Sequence, residues 1–441
     1  MAHPHVSTLA TVVKVILHHL DTKYIRVRRN GPRQSLILLL SVIQSGVDRI
    51  GVKAAKLVVM DQMSRVLKWN NGAVPSVSAI ARALHKLKPA HLESVIAVGL
   101  EAVAKAFGPH LLQHGYRLVA IDGVRMNTQR TTVLARLFGR PKYERTKKAH
   151  QPQALVVIAR CVRTGVILAQ EVVGHKGSER ACARKMCNKL AKMGRILVLF
   201  DRGFPSRVLI GQLHEIGIKY LVRMCGGKST WSEIQEHTSD GKAKDRRINV
   251  RLKKGNGTSY HDFVRAIITG KGKPGRPRSD RKQQRMILFT NLTGKYWSTQ
   301  RLVAMYFRRW DIETSFREDK RLLGSTNSRA KTKNAFTNEL LSLHIYRIIM
   351  AIIAAITVKK TGMPTWENDR AERLVTTQLI VTAWVIIEMA ITSPPQGVDK
   401  MTDFIREIIR DSQKKRPGRS AKRICKGREG VWKHKDEKSH Y

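Results

Sequence analysis

Acidic residues are scarce in this sequence. Its 441 residues include 33 Asp and Glu against 82 Lys and Arg, which gives a formal net charge of +49 at pH 7. The excess of cations runs along the whole chain and is not confined to one tail. This charge favours a polyanionic partner, and nucleic acid is the first candidate. A membrane surface is the weaker alternative, because membrane-binding helices concentrate their charge on one amphipathic segment.

Cysteine is also rare, and the five cysteines form no Cys-x-x-Cys pair. Their spacing suggests neither a zinc knuckle nor a disulfide framework, and it indicates a reduced, intracellular protein. The first 20 residues carry histidines where a secretory signal has a basic region, so no signal peptide is expected. The apolar stretches at 340–358 and 374–392 contain charged residues and are predicted to be buried core helices, with no membrane partner.

Changes in local pattern divide the chain into six predicted segments. Residues 1–112 are predicted to form a helical N-terminal domain that binds DNA ends. Its helices at 77–87 and 91–107 resemble a helix-turn-helix, with a simple packed pair as the alternative. The later segments are 113–224, the first part of an α/β core; 225–296, a β-rich insertion; 297–345, the final core helix; 346–410, a helical region available for dimerisation; and 411–441, a basic disordered tail.

Apolar runs within residues 113–224 predict the core. Strands are expected at 118–121, 154–158, 166–168 with 172–173, 196–200 and 220–222, and helices at 178–193 and 205–216. A hairpin followed by αβ units predicts a mixed sheet covered by helices.

The insertion contains a short basic motif, Lys271-Gly-Lys-Pro-Gly-Arg-Pro-Arg278. Its Gly-Arg-Pro core resembles an AT-hook, which lays arginines in the minor groove of A·T-rich DNA. Lys273, Arg276 and Arg278 are therefore candidate DNA contacts, and a solvated basic loop is the alternative.

Two aspartates end apolar strands of the predicted core. Asp122 closes the run at 118–121, and Asp201 closes the run at 196–200 and is followed by Arg202. A buried carboxylate without a partner is costly, so each aspartate is expected to face a cation or a metal. A salt-bridged aspartate at a strand end is the alternative for either residue alone.

One predicted helix, over residues 298–323, carries a polar stripe. Tyr306, Arg309, Glu313 and Lys320 follow at spacings of three, four and seven residues, which places them on one helical face. Apolar residues at 305, 312, 316 and 323 form a neighbouring seam that is expected to dock on the sheet. A solvated helix with i,i+4 ion pairs is the alternative.

Glu313 and the two aspartates together offer three hard oxygen ligands, which suit magnesium and not zinc. Such clusters commonly hold two metals about 4 Å apart and serve phosphoryl transfer. The neighbouring cations would then bind the phosphodiester.

The spacing of Tyr306, Arg309, Glu313 and Lys320 resembles the Tyr-Arg-Glu-Lys signature of DDE transposases of the insertion-sequence-four family. The string from Asp201 to Phe204 resembles that family's second-aspartate motif, and the resemblance covers about residues 115–345. It implies an α/β, RNase H-like fold: a mixed five-stranded sheet flanked by helices, with a β-rich insertion, a helical N-terminal domain and a helical C-terminal region.

Two features limit the match. Gly123 follows Asp122 where some relatives carry a hydroxyl residue. Trp231 and Trp297 are candidates for the tryptophan that stabilises a flipped base in relatives, with ordinary packing as the alternative.

The resemblance implies a cut-and-paste DNA transposase in which Asp122, Asp201 and Glu313 bind two Mg²⁺ ions, with Mn²⁺ as a substitute. Water would nick the element end, the freed 3′ hydroxyl would form a hairpin, and the reopened 3′ end would join target DNA. Tyr306, Arg309 and Lys320 would hold the DNA end, and Arg202 is a further candidate contact.

The expected partners are double-stranded DNA, as terminal inverted repeats and as target, and a second copy of the chain in a paired-end complex. The expected location is the bacterial cytoplasm, at the nucleoid. Two alternatives stay open: an inactive, transposase-derived DNA-binding repressor, and an RNase H-like nuclease without strand transfer.

Overall fold

The computed structural model describes residues 87–141, 151–225, 231–238, 243–269, 286–310, 312–313, 328 and 330–361. The strands are β1 Arg117–Asn127, β2 Gln153–Cys161, β3 Ile167–Gly174, β4 Ile196–Phe200, β5 Lys219–Met224, β6 Lys244–Lys253, β7 Ser259–Ile268 and β8 Ile287–Thr290. The helices are α1 Pro89–Phe107, α2 Thr132–Phe138, α3 Glu179–Leu190, α4 Arg207–Glu215, α5 Ser232–Thr238, α6 Thr299–Phe307 and α7 Lys333–Thr361. Short 3-10 turns, Gly108–Leu111 and Ala191–Met193, follow α1 and α3.

All eight strands belong to one mixed sheet in the order β3-β2-β1-β4-β5-β8-β7-β6. Strand β4 is parallel to both β1 and β5, and the other neighbours are antiparallel. The predicted mixed α/β class is confirmed, but the predicted five strands are too few. Strand β8 pairs with β5 through Val222 and Phe289, so the β-rich insertion at 225–296 extends the core sheet.

Both faces of the sheet are covered because its central strands are apolar on both sides. Along β1, Val119 and Ile121 enter one core, whereas Leu118 and Ala120 enter the other. The first core is closed by α1, α3, α4, α5 and most of α7, and the second by α2, α6 and the first turns of α7. Alternating side chains of a strand point to opposite faces, so a continuous apolar run suits this buried position.

Helices α1 and α7 pack against each other on the first face. The predicted helix at 91–107 is confirmed, with Pro89 in its first turn and Gly108, at φ 53°, ending it. Gly99 of α1 lies so close to α7 that an added Cβ would be 2.9 Å from Cγ2 of Ile348. Helix α7 runs without a break across the predicted boundary at 345/346. Among the described helices, α7 included, none has the length and apolar character needed to cross a membrane.

Several predictions fall outside the described residues. They concern the N-terminal domain up to residue 86, which includes the first half of the helix-turn-helix, the basic motif at 271–278 and the tail at 411–441.

Candidate active site

Asp122 lies inside β1 and not at its end. The strand continues for five residues beyond it, to Asn127, because β2 goes on pairing with it from Ile158 to Gln153. Its carboxylate accepts a hydrogen bond of 2.8 Å from the backbone N–H of Gly123. The sequence therefore identified the strand correctly but ended it too early.

Asp201 follows β4 directly, as predicted, and is the neighbour of Asp122. Parallel pairing of β1 with β4 runs from Arg117 with Ile196 to Ile121 with Phe200, so the next residue on each strand is an aspartate. The turn after Asp201 is closed by the N–H of Phe204, which donates to the Asp201 carbonyl at 3.1 Å. Phe204 then packs on Phe200, with ring centroids 5.4 Å apart.

Glu313 reaches this site from the segment after β8. Helix α6 begins at Thr299, where the Ser298 side chain accepts from the N–H of Arg301 at 3.3 Å, and it ends at Phe307. The predicted single helix over 298–323 is therefore wrong in its middle: Arg308 and Arg309 form a turn, and helical geometry resumes at 310 and at 312–313. The N–H of Ile312 donates to the Arg309 carbonyl and carries the chain through this turn.

Arg309 connects the two later carboxylates. Its Nη2 atom lies 2.8 Å from Oε1 of Glu313 and 3.9 Å from Oδ1 of Asp201. The Arg309 side chain is 6% exposed, whereas Asp201 and Glu313 are 37% and 34% exposed. Burial works against the charged guanidinium, but Tyr306, Glu313 and Asp201 together raise the pKa of Arg309 above its usual value.

The pKa of Asp122 shows that it lies close to Asp201 and Arg309. Burial raises the pKa of Asp122 to about 6, although the Gly123 N–H and Arg309 act to lower it. Glu179 and Asp201 raise it further, because nearby negative charges disfavour ionisation. Strand register thus links Asp122 to Asp201, and Arg309 links Asp201 to Glu313.

Glu179 is a fourth carboxylate that the sequence did not predict. It is the first residue of α3, behind the cap formed by Ser178, whose hydroxyl accepts from the N–H of Ala181 at 3.3 Å. An added Cβ on Gly123 would lie 2.6 Å from Oε1 of Glu179, so this carboxylate fits into the space that a side chain would fill. A glycine at 123 is what lets Glu179 approach the strand beside Asp122.

Tyr306 is less accessible than predicted. It is 2% exposed, and burial raises its pKa. Its hydroxyl is buried near Arg309, whose positive charge acts against this rise in pKa. The aromatic side chains that the surface does present here are Phe307 and Trp310, at 52% and 53% exposed, and the Arg309 guanidinium lies 5.5 Å from the Trp310 ring centroid.

The remaining predicted contacts differ in their outcome. Arg202 is exposed in the turn after Asp201. Trp231 packs on Phe289 and Trp297 on Tyr296, and the contact of either tryptophan with a flipped base stays a prediction. Three further DNA contacts and the lysine of the stripe lie outside the described residues: Lys273, Arg276, Arg278 and Lys320.

The donor set fits a hard divalent cation, since it consists of carboxylates around a partly buried aspartate of raised pKa. Within the parts of the chain that are described, however, no three potential ligand side chains are grouped closely enough to hold one ion. Arg309 occupies the space between Asp201 and Glu313. Metal binding therefore requires the carboxylates to move closer to one another.

Comparison with known proteins gives a family match and a similar solved structure. The family described as "Transposase DDE domain" matches residues 113–349. A cryo-EM structure of a piggyBac transposase synaptic complex with hairpin DNA is similar at 11% identity and a TM-score of 0.42, covering 94% of this chain and 84% of that chain. A search of curated protein sequences finds no match.

Proposed function

Because the chain belongs to the transposase DDE domain family, we propose that it is a DNA transposase whose reacting groups are Asp122, Asp201 and Glu313. The observation that carries this proposal is the convergence of three carboxylates from separate elements. Strand register puts Asp122 beside Asp201, and Arg309 binds both Asp201 and Glu313. Residues far apart in sequence and alike in chemistry are typical of a catalytic site.

These three carboxylates would hold divalent cations, taken here as two Mg²⁺ ions. When bound, such ions activate a water or a hydroxyl and stabilise the leaving oxygen in phosphoryl transfer. Glu179 would lie next to the metal-holding carboxylates, where its negative charge raises the pKa of Asp122 and would help to attract a cation. The protein's own contribution is to bring these oxygens to one edge of a rigid sheet.

DNA would be held by the cations around the carboxylates. Arg309 would exchange its bonds to Glu313 and Asp201 for a phosphate, for which a guanidinium is well suited. Arg202 is already exposed beside Asp201. The net charge of +49 would draw any duplex to the protein.

The finer proposal follows the resemblance to the insertion-sequence-four family. The strand order β3-β2-β1-β4-β5 supports an RNase H-like core that three further strands extend. The chain would nick element ends, form and open a hairpin, and join the 3′ ends to target DNA. Two copies would act on paired terminal inverted repeats, at the nucleoid of a bacterial cell.

Product analysis tests this proposal. The purified chain is incubated with Mg²⁺ and a labelled duplex that contains the DNA flanking its gene, and the products are separated on denaturing gels. Hairpins and joined strands are expected for a transposase. Nicks alone would replace this proposal with a nuclease, and binding without any cleavage would replace it with a repressor.

A further inference from the structure

A second cationic surface lies at the end of the sheet where β1 and β4 begin, which we call this edge; Asp201 lies at the opposite end of β4. Strand register places several loops at this edge, because Arg117 pairs with Ile196 where β1 and β4 begin, and Leu221 pairs with Thr290 where β5 begins and β8 ends. Residues 112–116, 193–195, 217–219 and 290–297 therefore lie together there. Asp201 follows the far end of β4, so this edge and the carboxylates are separated by the length of the strands.

Arginines are stacked on aromatic rings along this edge. The Arg195 guanidinium lies 4.7 Å from the Tyr116 ring centroid, and that of Arg301 lies 4.1 Å from Tyr296. Trp297 joins the two pairs, with its ring 5.9 Å from Tyr116 and 5.0 Å from Tyr296. We call these five residues the basic–aromatic edge. Stacking holds each guanidinium in place, and Nη1 of Arg301 also donates to the Tyr296 carbonyl. The remaining N–H groups of the two guanidinium groups can bind a planar or tetrahedral anion.

A pocket of ≈ 260 Å³ adjoins the basic–aromatic edge. Arg265 connects the two, because it lines the pocket and donates to the Trp297 carbonyl at 2.7 Å. Lys219 and Arg247 also line the pocket, and the Arg247 guanidinium lies 4.2 Å from the Phe263 ring centroid. Stacked arginine and aromatic side chains therefore occur both in the basic–aromatic edge and in the adjoining pocket.

Of the acidic residues at this edge, Glu215 is exposed at the end of α4, and the other two are already engaged. Asp245 is bound by Arg265 at 2.6 Å, and Asp262 is bound by His214 at 2.7 Å. In contrast, Arg195, Lys219, Arg247 and Arg301 make no salt bridge with any residue that the structure describes. The edge therefore has an excess of positive charge.

Exposed apolar side chains are concentrated at the same place. Eight large apolar side chains are exposed in the described residues: Leu112, Val133, Leu137, Met193, Phe263, Tyr296, Phe307 and Trp310. Leu112, Met193, Phe263 and Tyr296 belong to this edge. A charged face that serves only solubility would not expose them, whereas cations interleaved with aromatic rings are typical of nucleic-acid surfaces.

We propose that the basic–aromatic edge, with Lys219 and Arg247, binds a second DNA duplex through its phosphates, apart from the DNA at the carboxylates. The choice of DNA rests on the proposed function. A protein that joins two DNA segments brings both of them to its carboxylates and can hold one by a further contact away from the reacting phosphates. The basic–aromatic edge supplies such a contact. The contact is to the backbone and is therefore independent of base sequence.

The test compares two neutralised variants in a Glu313→Gln background, which removes cleavage from the measurement. One carries Arg195→Gln and Arg301→Gln; the matched control carries Lys185→Gln and Lys189→Gln on α3, which removes the same charge from exposed helical positions. Affinity for two unrelated fluorescent duplexes is measured in EDTA across a range of salt concentrations. Each lost phosphate contact lowers the slope of log K against log salt by about 0.9, so the edge variant should lose about 2.

Hydrogen–deuterium exchange locates the contact. DNA should protect peptides that cover 112–117 and 294–301 in the background protein and in the α3 control, and not in the edge variant. Protection near residue 202 should persist in all three. Equal slopes and equal protection in the edge variant and the control would overturn the proposal, as would stronger competition by double-stranded RNA than by DNA. If none of the proteins binds DNA, the proposed function fails as well, whereas failure at the edge alone leaves it intact.

Discussion

Arg309 binds Glu313 through its Nη2 atom, 2.8 Å from Oε1, while the same nitrogen is 3.9 Å from Oδ1 of Asp201. A buried cation therefore lies between two of the three carboxylates to which we assign metal binding. In the absence of metal and DNA it neutralises them, which makes a cluster of anions tolerable at the edge of a packed core. The same contact implies that metal and Arg309 compete for the same oxygens.

Removal of Arg309 tests this competition. Arg309→Gln should destabilise the metal-free protein by about 1–3 kcal/mol, because two carboxylates lose their cation. Added Mg²⁺ should then raise the melting temperature more in the variant than in the wild type. Thermal unfolding in EDTA and in Mg²⁺ measures both effects, with Arg308→Gln as the control for loss of charge. A smaller Mg²⁺ response in Arg309→Gln would contradict competition.

Glu179 should contribute to activity less than Glu313 does. Its carboxylate touches Gly123 and raises the pKa of Asp122, so Glu179→Gln removes a neighbour and not one of the three assigned ligands. Neighbours of metal ligands typically account for about 10- to 100-fold in metal affinity or activity. The initial rate of Mg²⁺-dependent nicking measures the effect, with Glu101→Gln on α1 as a remote control. A rate equal to that of Glu101→Gln would show that Glu179 has no part in the site.

Gly211→Ala should destabilise the protein although alanine favours helices. Gly211 lies in α4, and an added Cβ would be 2.3 Å from the backbone carbonyl oxygen of Lys253 in β6. A backbone atom cannot move aside cheaply, so the overpacking should cost about 1–3 kcal/mol and outweigh a helix-propensity gain of about 1 kcal/mol. Urea unfolding measures the difference. Gly255→Ala is the control, because nothing lies within 4 Å of its added Cβ, and an increase in stability for Gly211→Ala would refute this packing.

Acid should remove the stabilisation that Glu233 provides. Two hydrogen bonds from Arg207, at 2.7 and 2.9 Å, hold the pKa of Glu233 well below its ordinary value of 4.5. Because the folded-state pKa is the lower one, the stabilisation is complete above pH 4.5 and is lost progressively as the pH falls below it. The pair is partly solvated, so Glu233→Gln should cost about 1 kcal/mol at pH 7. Unfolding of both proteins from pH 7 to pH 3 should show the two stabilities converging; a constant difference would contradict the ion pair.

The local sequence pattern is sufficient to predict a helix or strand whose own residues determine its structure. The apolar runs at 118–121, 154–158, 196–200 and 220–222 all lie in strands, and the helix before β1 ends within the predicted range. Asp201 was placed correctly because its strand ends in a turn that the sequence signals with Gly203.

Contacts between distant parts of the chain determine the features that the local sequence pattern does not predict. Beyond Asp122 the sequence of β1 offers only Gly123 and a short apolar–polar alternation at 124–127, and the strand continues there because β2 pairs with it. The segment at 225–296 is predicted to be a β-rich insertion, yet only the pairing of β8 with β5 adds it to the core sheet. Glu179 looks like an ordinary residue after a helix cap, and only the contact of α3 with β1 brings it beside Asp122. The turn at Arg308 and Arg309 likewise interrupts a pattern that is helical in sequence.

The central claim is that Glu313 acts in chemistry and not in DNA binding. The direct measurement is Mg²⁺-dependent nicking of a labelled duplex by Glu313→Gln, together with the affinity of the same protein for that duplex in EDTA. Our account predicts nicking at least about 1,000-fold slower than wild type, since loss of an assigned metal ligand costs several kcal/mol of transition-state stabilisation, with DNA affinity retained. Undiminished nicking by Glu313→Gln would contradict it.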